Sequence, residues 1–234
     1  MLYLRWAALR GGIIIGVTAM QLYVYDHCPF CVKARMIFGL KNRPMTLKVL
    51  MNDDEATPIG MVGQKMLPIL ETDDGTFMPE SMDIVHYVDG VDGASVLNGP
   101  VRIEIGQWLA ENQKLVHQLV MPRCVDIGLE EFATESARQY YISKKQDYLG
   151  PFTECLQMAP GFIQDMNQQL LILATLMLGT EACNGALSVD DIHLFAVLRN
   201  LSMVKGLVYP PNIDAYRRQM SERSGVPLFD AVAI

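Results

Sequence analysis

The clearest capacity for chemistry lies in Cys28-Pro29-Phe30-Cys31, two thiols one helical turn apart. Such a pair serves either as half of a zinc site or as a dithiol that opens and closes a small disulfide ring. Zinc needs two further ligands. There is no second pair, and Cys124, Cys155 and Cys183 stand alone in apolar stretches, so the reading is a redox centre without metal. The flanking pattern favours that chemistry. Gln21-Leu22-Tyr23-Val24-Tyr25 alternates like a strand, Asp26-His27 turns, and residues 32–40 place Val32, Met36, Ile37 and Leu40 on one helical face. At a helix start, unpaired N–H groups and the positive dipole end stabilise a thiolate. Cys28, at the cap, is therefore the candidate nucleophile, and Cys31, one turn in, the resolving thiol. Pro29 at the first helical position presets φ without losing a useful hydrogen bond. Phe30 is either an apolar wall for a substrate or an ordinary aromatic.

Two further segments bear on the same chemistry. Met66-Leu67-Pro68-Ile69-Leu70 puts proline at the entrance of what otherwise reads as a central strand. Either Pro68 is simply the first strand residue, or a cis Leu67-Pro68 bond exposes the Leu67 backbone to an extended, peptide-like ligand. Pro79-Glu80-Ser81 closes a strand and opens a helix, with Asp83 in its first turn. Ser81 acts there as a cap, or its N–H and hydroxyl hold a carboxylate while Glu80 accepts from an adjacent ammonium. An α-amino-acid head group carries both charges. Lys65 is a candidate for a distal carboxylate or a solvated lysine. His27 either tunes the thiolate or lies at the rim.

The elements that must position these residues follow in the order β-α-β-(α)-β-β-α, that of a thioredoxin-like domain over residues 20–91. Strand signals at 46–51, 66–71 and 76–78 and a helix through residue 88 complete it. Residues 92–102 read as a linker. Residues 103–234 form an all-helical domain, with apolar residues at three- and four-residue spacing over 101–119, 136–156, 162–178 and 192–204. Breaks are expected at Pro122, Pro160-Gly161, Asn184-Gly185 and Pro210-Pro211. Ser188-Val189-Asp190-Asp191 predicts a capped helix start, so Asp190 and His193 read as structural rather than catalytic. With 50% apolar residues, 19% charged residues and a net charge of −7, the chain has a substantial core and no basic run to track nucleic acid. Residues 1–19 are read as an extension outside the fold. Arg10, Gly11 and Gly12 interrupt their apolar run, and the remainder is too short to span a bilayer. No membrane association is expected.

Residues 26–31, 64–70 and 79–87, here Pro79-Glu80-Ser81-Met82-Asp83-Ile84-Val85-His86-Tyr87, closely resemble the glutaredoxin 2 family of large bacterial dithiol glutaredoxins. The resemblance extends over residues 20–234, and Ser188 to Asp191 resemble the capping motif of glutathione transferases. It implies a thioredoxin-like N-terminal domain followed by an all-helical, glutathione-transferase-like C-terminal domain. It implies glutathione as reductant, disulfide-containing or glutathionylated proteins as substrates, and a cytoplasmic monomer that conjugates electrophiles poorly. Cys28 is then the catalytic thiol, Leu67 and Pro68 the cis-proline backbone contact, and Glu80 with Ser81 the seat of the γ-glutamyl end. Pro29, Phe30 and Lys65 complete the expected glutathione site. A transferase would place Ser or Tyr where Cys28 stands, and a cluster-binding module is disfavoured by Pro29 and the second cysteine.

Overall fold

The computed structural model describes residues 20–91 and 93–234. The readings of residues 1–19 as an extension fall outside them. The first half forms β1 (Gln21–Val24), α1 (Pro29–Leu40), β2 (Thr46–Val49), α2 (Ala56–Val62), β3 (Ile69–Glu71), β4 (Phe77–Pro79) and α3 (Ser81–Val91). The strands make one mixed sheet in the order β2-β1-β3-β4, with β1 parallel to β2 and antiparallel to β3. Leu22 and Val24, at alternate positions of β1, are fully buried against Val32, Met36 and Ile37 of α1 and Ile84, Val85 and Val88 of α3. The two periods, two for the strand and about 3.6 for the helices, thus meet on one core.

Five helices follow: α4 (Ile103–Cys124), α5 (Glu135–Leu149), α6 (Phe152–Leu176), α7 (Val189–Leu201) and α8 (Pro211–Ser224). This is the thioredoxin-like domain plus all-helical domain that the sequence patterns predict. Two of the expected helix breaks are corrected. Pro122 lies within α4 and Pro160 within α6. Pro122 stands two residues before its helix ends, where the ladder is already running out of partners. Pro160 lies on the exposed outer side of α6, as does Leu156, whose carbonyl loses its partner to the proline and is left on the solvent face. The true interruption is Gly150-Pro151, inside the stretch expected to be continuous. Gly150 has φ +82°, and Pro151 cannot continue the helix before it.

The two halves pack tightly. α1 lies against α7 and α8, and at Gly39 a side-chain Cβ would fall 1.9 Å from the carbonyl oxygen of Ser224, so only glycine admits this approach. The predicted start of α7 is present. Ser188 N–H donates to Asp191 Oδ2 at 2.9 Å in a reciprocal capping box. Asp191 does more than cap, since its Oδ1 accepts from Cys183 N–H at 2.7 Å and from the Tyr216 hydroxyl at 3.0 Å, all of it fully buried. Replacing it leaves three buried donors without an acceptor. Asp191→Ala is expected to cost at least about 3 kcal/mol, read as a lower urea midpoint at unchanged slope. An unchanged midpoint would show that the helix start is held by something else.

Candidate active site

The register of the sheet brings the predicted site residues to one end of it. Tyr23 pairs with Ile69, and Ile69 pairs with Pro79. The exit of β1, the entrance of β3 and the exit of β4 are therefore neighbours, and each leads directly into a candidate segment: Cys28, Leu67-Pro68, and Glu80-Ser81. The Leu67-Pro68 peptide bond is cis. Pro68 is buried, and the Leu67 N–H and C=O make no backbone hydrogen bond within the described residues. Glu80 is exposed and takes φ +69°, a left-handed conformation that a side chain rarely adopts, while Ser81 behind it is buried at the first position of α3. Such a conformation carries a local backbone cost that the surrounding structure must offset.

Cys28 occupies the cap position of α1, half-buried, with extended backbone (φ −75°, ψ 120°), and Pro29 takes the first helical position. Its thiol is pulled down to about 6, chiefly by the hydrogen bond from the Cys31 thiol. Burial works against that, and the charge of His27 and the N–H groups of Cys31 and Phe30 work with it. Cys31 is fully buried and accepts from the Tyr25 N–H at 3.4 Å, and burial beside a thiolate pushes its own thiol well above the ordinary range. Environment thus divides two chemically identical groups into a thiol that ionises readily and one that holds its proton. Phe30 is 54% exposed, with the Lys33 ammonium 4.8 Å above its ring.

A groove of about 620 Å³ opens beside Cys28, Pro29 and Phe30, between that turn and the helical domain. Leu109, Val116, Val120 and Met121 of α4 and Val197 of α7 give it an apolar wall, while Lys33 and Lys145 place cations at its margin. Leu67, Glu80 and Ser81 lie outside it. Cys28 therefore stands at the junction of two surfaces, a polar backbone edge on the sheet side and an apolar trough on the helical side. Lys65 is placed away from the groove. Its Nζ donates to the Asn52 carbonyl at 2.6 Å and lies 3.6 Å over the Tyr140 ring on α5, and burial lowers its affinity for a proton. Among the described residues no cluster of three or more His, Cys, Asp or Glu could hold a metal ion. No helix among them is long and apolar enough to cross a membrane.

Sequence reasoning missed the residues that hold the turn. His27, open between rim and tuning roles, is buried. Its main-chain N–H donates to Glu131 Oε1 at 2.9 Å and its ring Nδ1 lies 2.8 Å from the same oxygen. Asn200 Nδ2 donates to the His27 carbonyl at 2.8 Å. Arg199, also fully buried, donates to the Asp26 carbonyl and, at 2.8 Å, to Asp26 Oδ1, which also accepts from Arg35. The adjacent Arg199-Asn200, polar inside an apolar helical stretch, was the signal that could have found two of them. Glu131, beside Glu130, carried none.

Residues 104–233 match the family described as Glutaredoxin 2, C terminal domain, and residues 22–95 match Glutathione S-transferase, N-terminal domain. Glutaredoxin 2 of Escherichia coli (strain K12) is 46% identical over 215 residues, covering 92% of this chain and 100% of that protein. The solved structure of glutaredoxin 2 from Salmonella typhimurium, in complex with glutathione, superposes with a TM-score of 0.91 at 50% identity over 92% of this chain and 99% of that one. A glutathione transferase from Phanerochaete chrysosporium, 12% identical over 89% of this chain and 98% of that one, shares the fold alone, with a TM-score of 0.66. The chain belongs to the glutaredoxin 2 family and is a glutathione-dependent disulfide oxidoreductase on the glutathione transferase fold.

Proposed function

We propose that the chain reduces protein disulfides and glutathione mixed disulfides, with Cys28 as attacking thiolate, Cys31 as resolving thiol, and glutathione seated along the sheet end beside them. The observation that carries this reading is a low-pKa thiol at a helix cap, next to a backbone edge with nothing paired to it. The Leu67 N–H and C=O suit antiparallel pairing with the central residue of glutathione, as an added strand would pair. The first-turn N–H and hydroxyl of Ser81 suit the γ-glutamyl carboxylate, and Glu80 its ammonium. Lys65 keeps donors beyond its bond to Asn52 and is assigned the distal carboxylate; Pro29 and Phe30 wall the reacting sulfur. Residues 20–91 then make the redox domain, 92–102 the link and 103–234 the helical domain. The chain is assigned to the cytoplasm as a monomer, a compartment whose glutathione pool keeps such a dithiol reduced.

The steps are thiol–disulfide exchanges. With a glutathionylated protein, the Cys28 thiolate attacks the glutathionyl sulfur, a Cys28–glutathione disulfide forms, and the protein leaves as a thiolate that takes a proton from solvent. Glutathione thiolate then attacks that disulfide, releasing oxidised glutathione and restoring the Cys28 thiolate. With a protein disulfide, Cys28 forms the first mixed disulfide. Cys31 loses its proton and attacks the Cys28 sulfur, the reduced protein leaves, and two glutathiones reopen the Cys28–Cys31 bond. Once Cys28 is bonded rather than anionic, the charge that held the Cys31 proton in place is gone.

Cys28→Ser is expected to abolish reduction of a glutathione mixed disulfide, whereas Cys31→Ser keeps it and loses dithiol exchange with proteins; retained turnover in Cys28→Ser overturns the assignment. The alkylation rate of Cys28 by iodoacetamide should rise with pH through a midpoint near 6, because only the thiolate reacts. In Cys31→Ser that midpoint should move, since the thiol that donates to the sulfur is replaced. An ordinary midpoint near the free-thiol value of 9.0 in the wild type would contradict the environment described.

A further inference from the structure

Glu131 belongs to neither cysteine chemistry nor helix capping, yet it is one of the most completely buried acids of the molecule. It stands in a single 3-10 turn, Glu130–Phe132, of the helical domain. One oxygen, Oε1, takes both the main-chain N–H and the ring Nδ1 of His27, the residue immediately before the nucleophile. The other, Oε2, is buried with no partner among the described residues. Its own carbonyl accepts from the Asn52 N–H at 2.9 Å, tying the turn to the loop after β2 as well. The imidazole is held on several sides. It is stacked on Tyr25 at 5.8 Å and enclosed by Phe132 at 4.9 Å and Tyr141 at 5.0 Å.

We propose that Glu131 is a positioning residue for the Cys28 thiolate: from the helical domain it holds the imidazole of His27, the residue before the nucleophile, in one orientation with Nδ1 as the donor, and so fixes where the ring's charge sits relative to the sulfur. The warrant is the acceptor geometry. A carboxylate oxygen already receiving a main-chain N–H can only accept from the ring, so Nδ1 carries hydrogen whatever the charge of the imidazole. A carboxylate that orients a histidine toward a reacting group is a general arrangement, and here the two partners are supplied by different domains.

The other titratable groups around this pair are Tyr25 and Cys28 from the β1–α1 turn, Cys124 from α4, Tyr141 from α5 and Arg199 from α7, and, lining the same groove, Lys33 of α1, His117 of α4, Lys145 of α5 and Asp190 and His193 of α7. Burial pushes the Cys124 thiol up to about 12 and the Tyr25 and Tyr141 hydroxyls upward, so these stay neutral through the working range. Arg199, lowered to about 10 by burial, stays charged and is committed to Asp26. His27 is the imidazole adjacent to Cys28 in the chain, and it is nearer the sulfur along the chain than Glu131 is. Its positive form favours the thiolate.

This rests on Cys28 being the attacking thiolate, and the two claims fail separately: turnover by Cys28→Ser removes the first, whereas the sulfur's pH profile tests the second. Glu131→Gln keeps an oxygen for the His27 main-chain N–H and removes the charge. The alkylation profile of Cys28 should move to higher pH, with the rate at pH 6 about three- to tenfold lower and the rate at pH 9 unchanged. In a His27→Phe background the same substitution should leave the profile where it is. A rate lowered equally at every pH, an unmoved profile, or an equal shift without His27 overturns the proposal. Should the variants not fold, nitrogen NMR of His27 in the wild type decides: hydrogen on Nδ1 in the neutral ring is expected, and a neutral ring with hydrogen on Nε2 alone overturns it.

Discussion

Arg199 is a cation with no exposed surface, and what it grips is the turn leading to the reactive thiol. Taking a guanidinium out of water costs several kcal/mol, which only close counter-charge and well-made hydrogen bonds offset. Here the offset comes from Asp26, through both its carbonyl and its carboxylate, from the Pro227 carbonyl at 3.0 Å, and from the Phe229 ring 3.8 Å beneath the guanidinium. Arg35, on α1, shares the same carboxylate and holds Asp26 ionised from the other side. Separating the domains would cost Arg199 its counter-charge, while Asp26 would keep Arg35. The β1–α1 turn is consequently as much a product of the helical domain as of the sheet, and the geometry of Cys28 inherits that constraint.

What this rigidity achieves is electrostatic. A helix cap offers a thiolate a modest field, and a half-buried sulfur would lose much of that advantage to desolvation if the donors around it wandered. The Cys31 thiol and the N–H groups of Phe30 and Cys31 are fixed by α1, and Asn200 and Glu131 fix the peptide just before it. The scattered cysteines show the contrast. Cys124 and Cys183 lie in apolar surroundings where burial raises the thiol, so they keep their protons while Cys28 does not. Of the five cysteines, Cys28 has its thiol lowered, while burial raises those of Cys31, Cys124, Cys155 and Cys183.

Features of short range were legible in the sequence. The β1 alternation, the Pro29 start of α1, the Ser188-to-Asp191 cap and the proline before β3 all follow from local sterics and hydrogen bonding, and each is present. The cis state of Leu67-Pro68 was one of two open readings, because sequence alone carries no information on what packs behind Pro68. Pro122 and Pro160 misled for a related reason: local propensity marks a break, and the outer face or last turn of a long helix tolerates it. Glu131 was invisible because its burial depends on a contact 104 residues away, and Glu130-Glu131 looks like any solvated acidic pair. Lys65 proved legible only in type. Its place over Tyr140 is set by the packing of α5, which no pattern near Lys65 announces.

The proposed chemistry requires Cys28 to be the sulfur that carries glutathione. Treating Cys31→Ser with oxidised glutathione and mapping the adduct by peptide mass spectrometry tests it directly, because the resolving thiol is absent and the mixed disulfide persists. The account predicts one glutathionyl group, on Cys28, released by added glutathione. An adduct on Cys124, Cys155 or Cys183, or none at all, would contradict it.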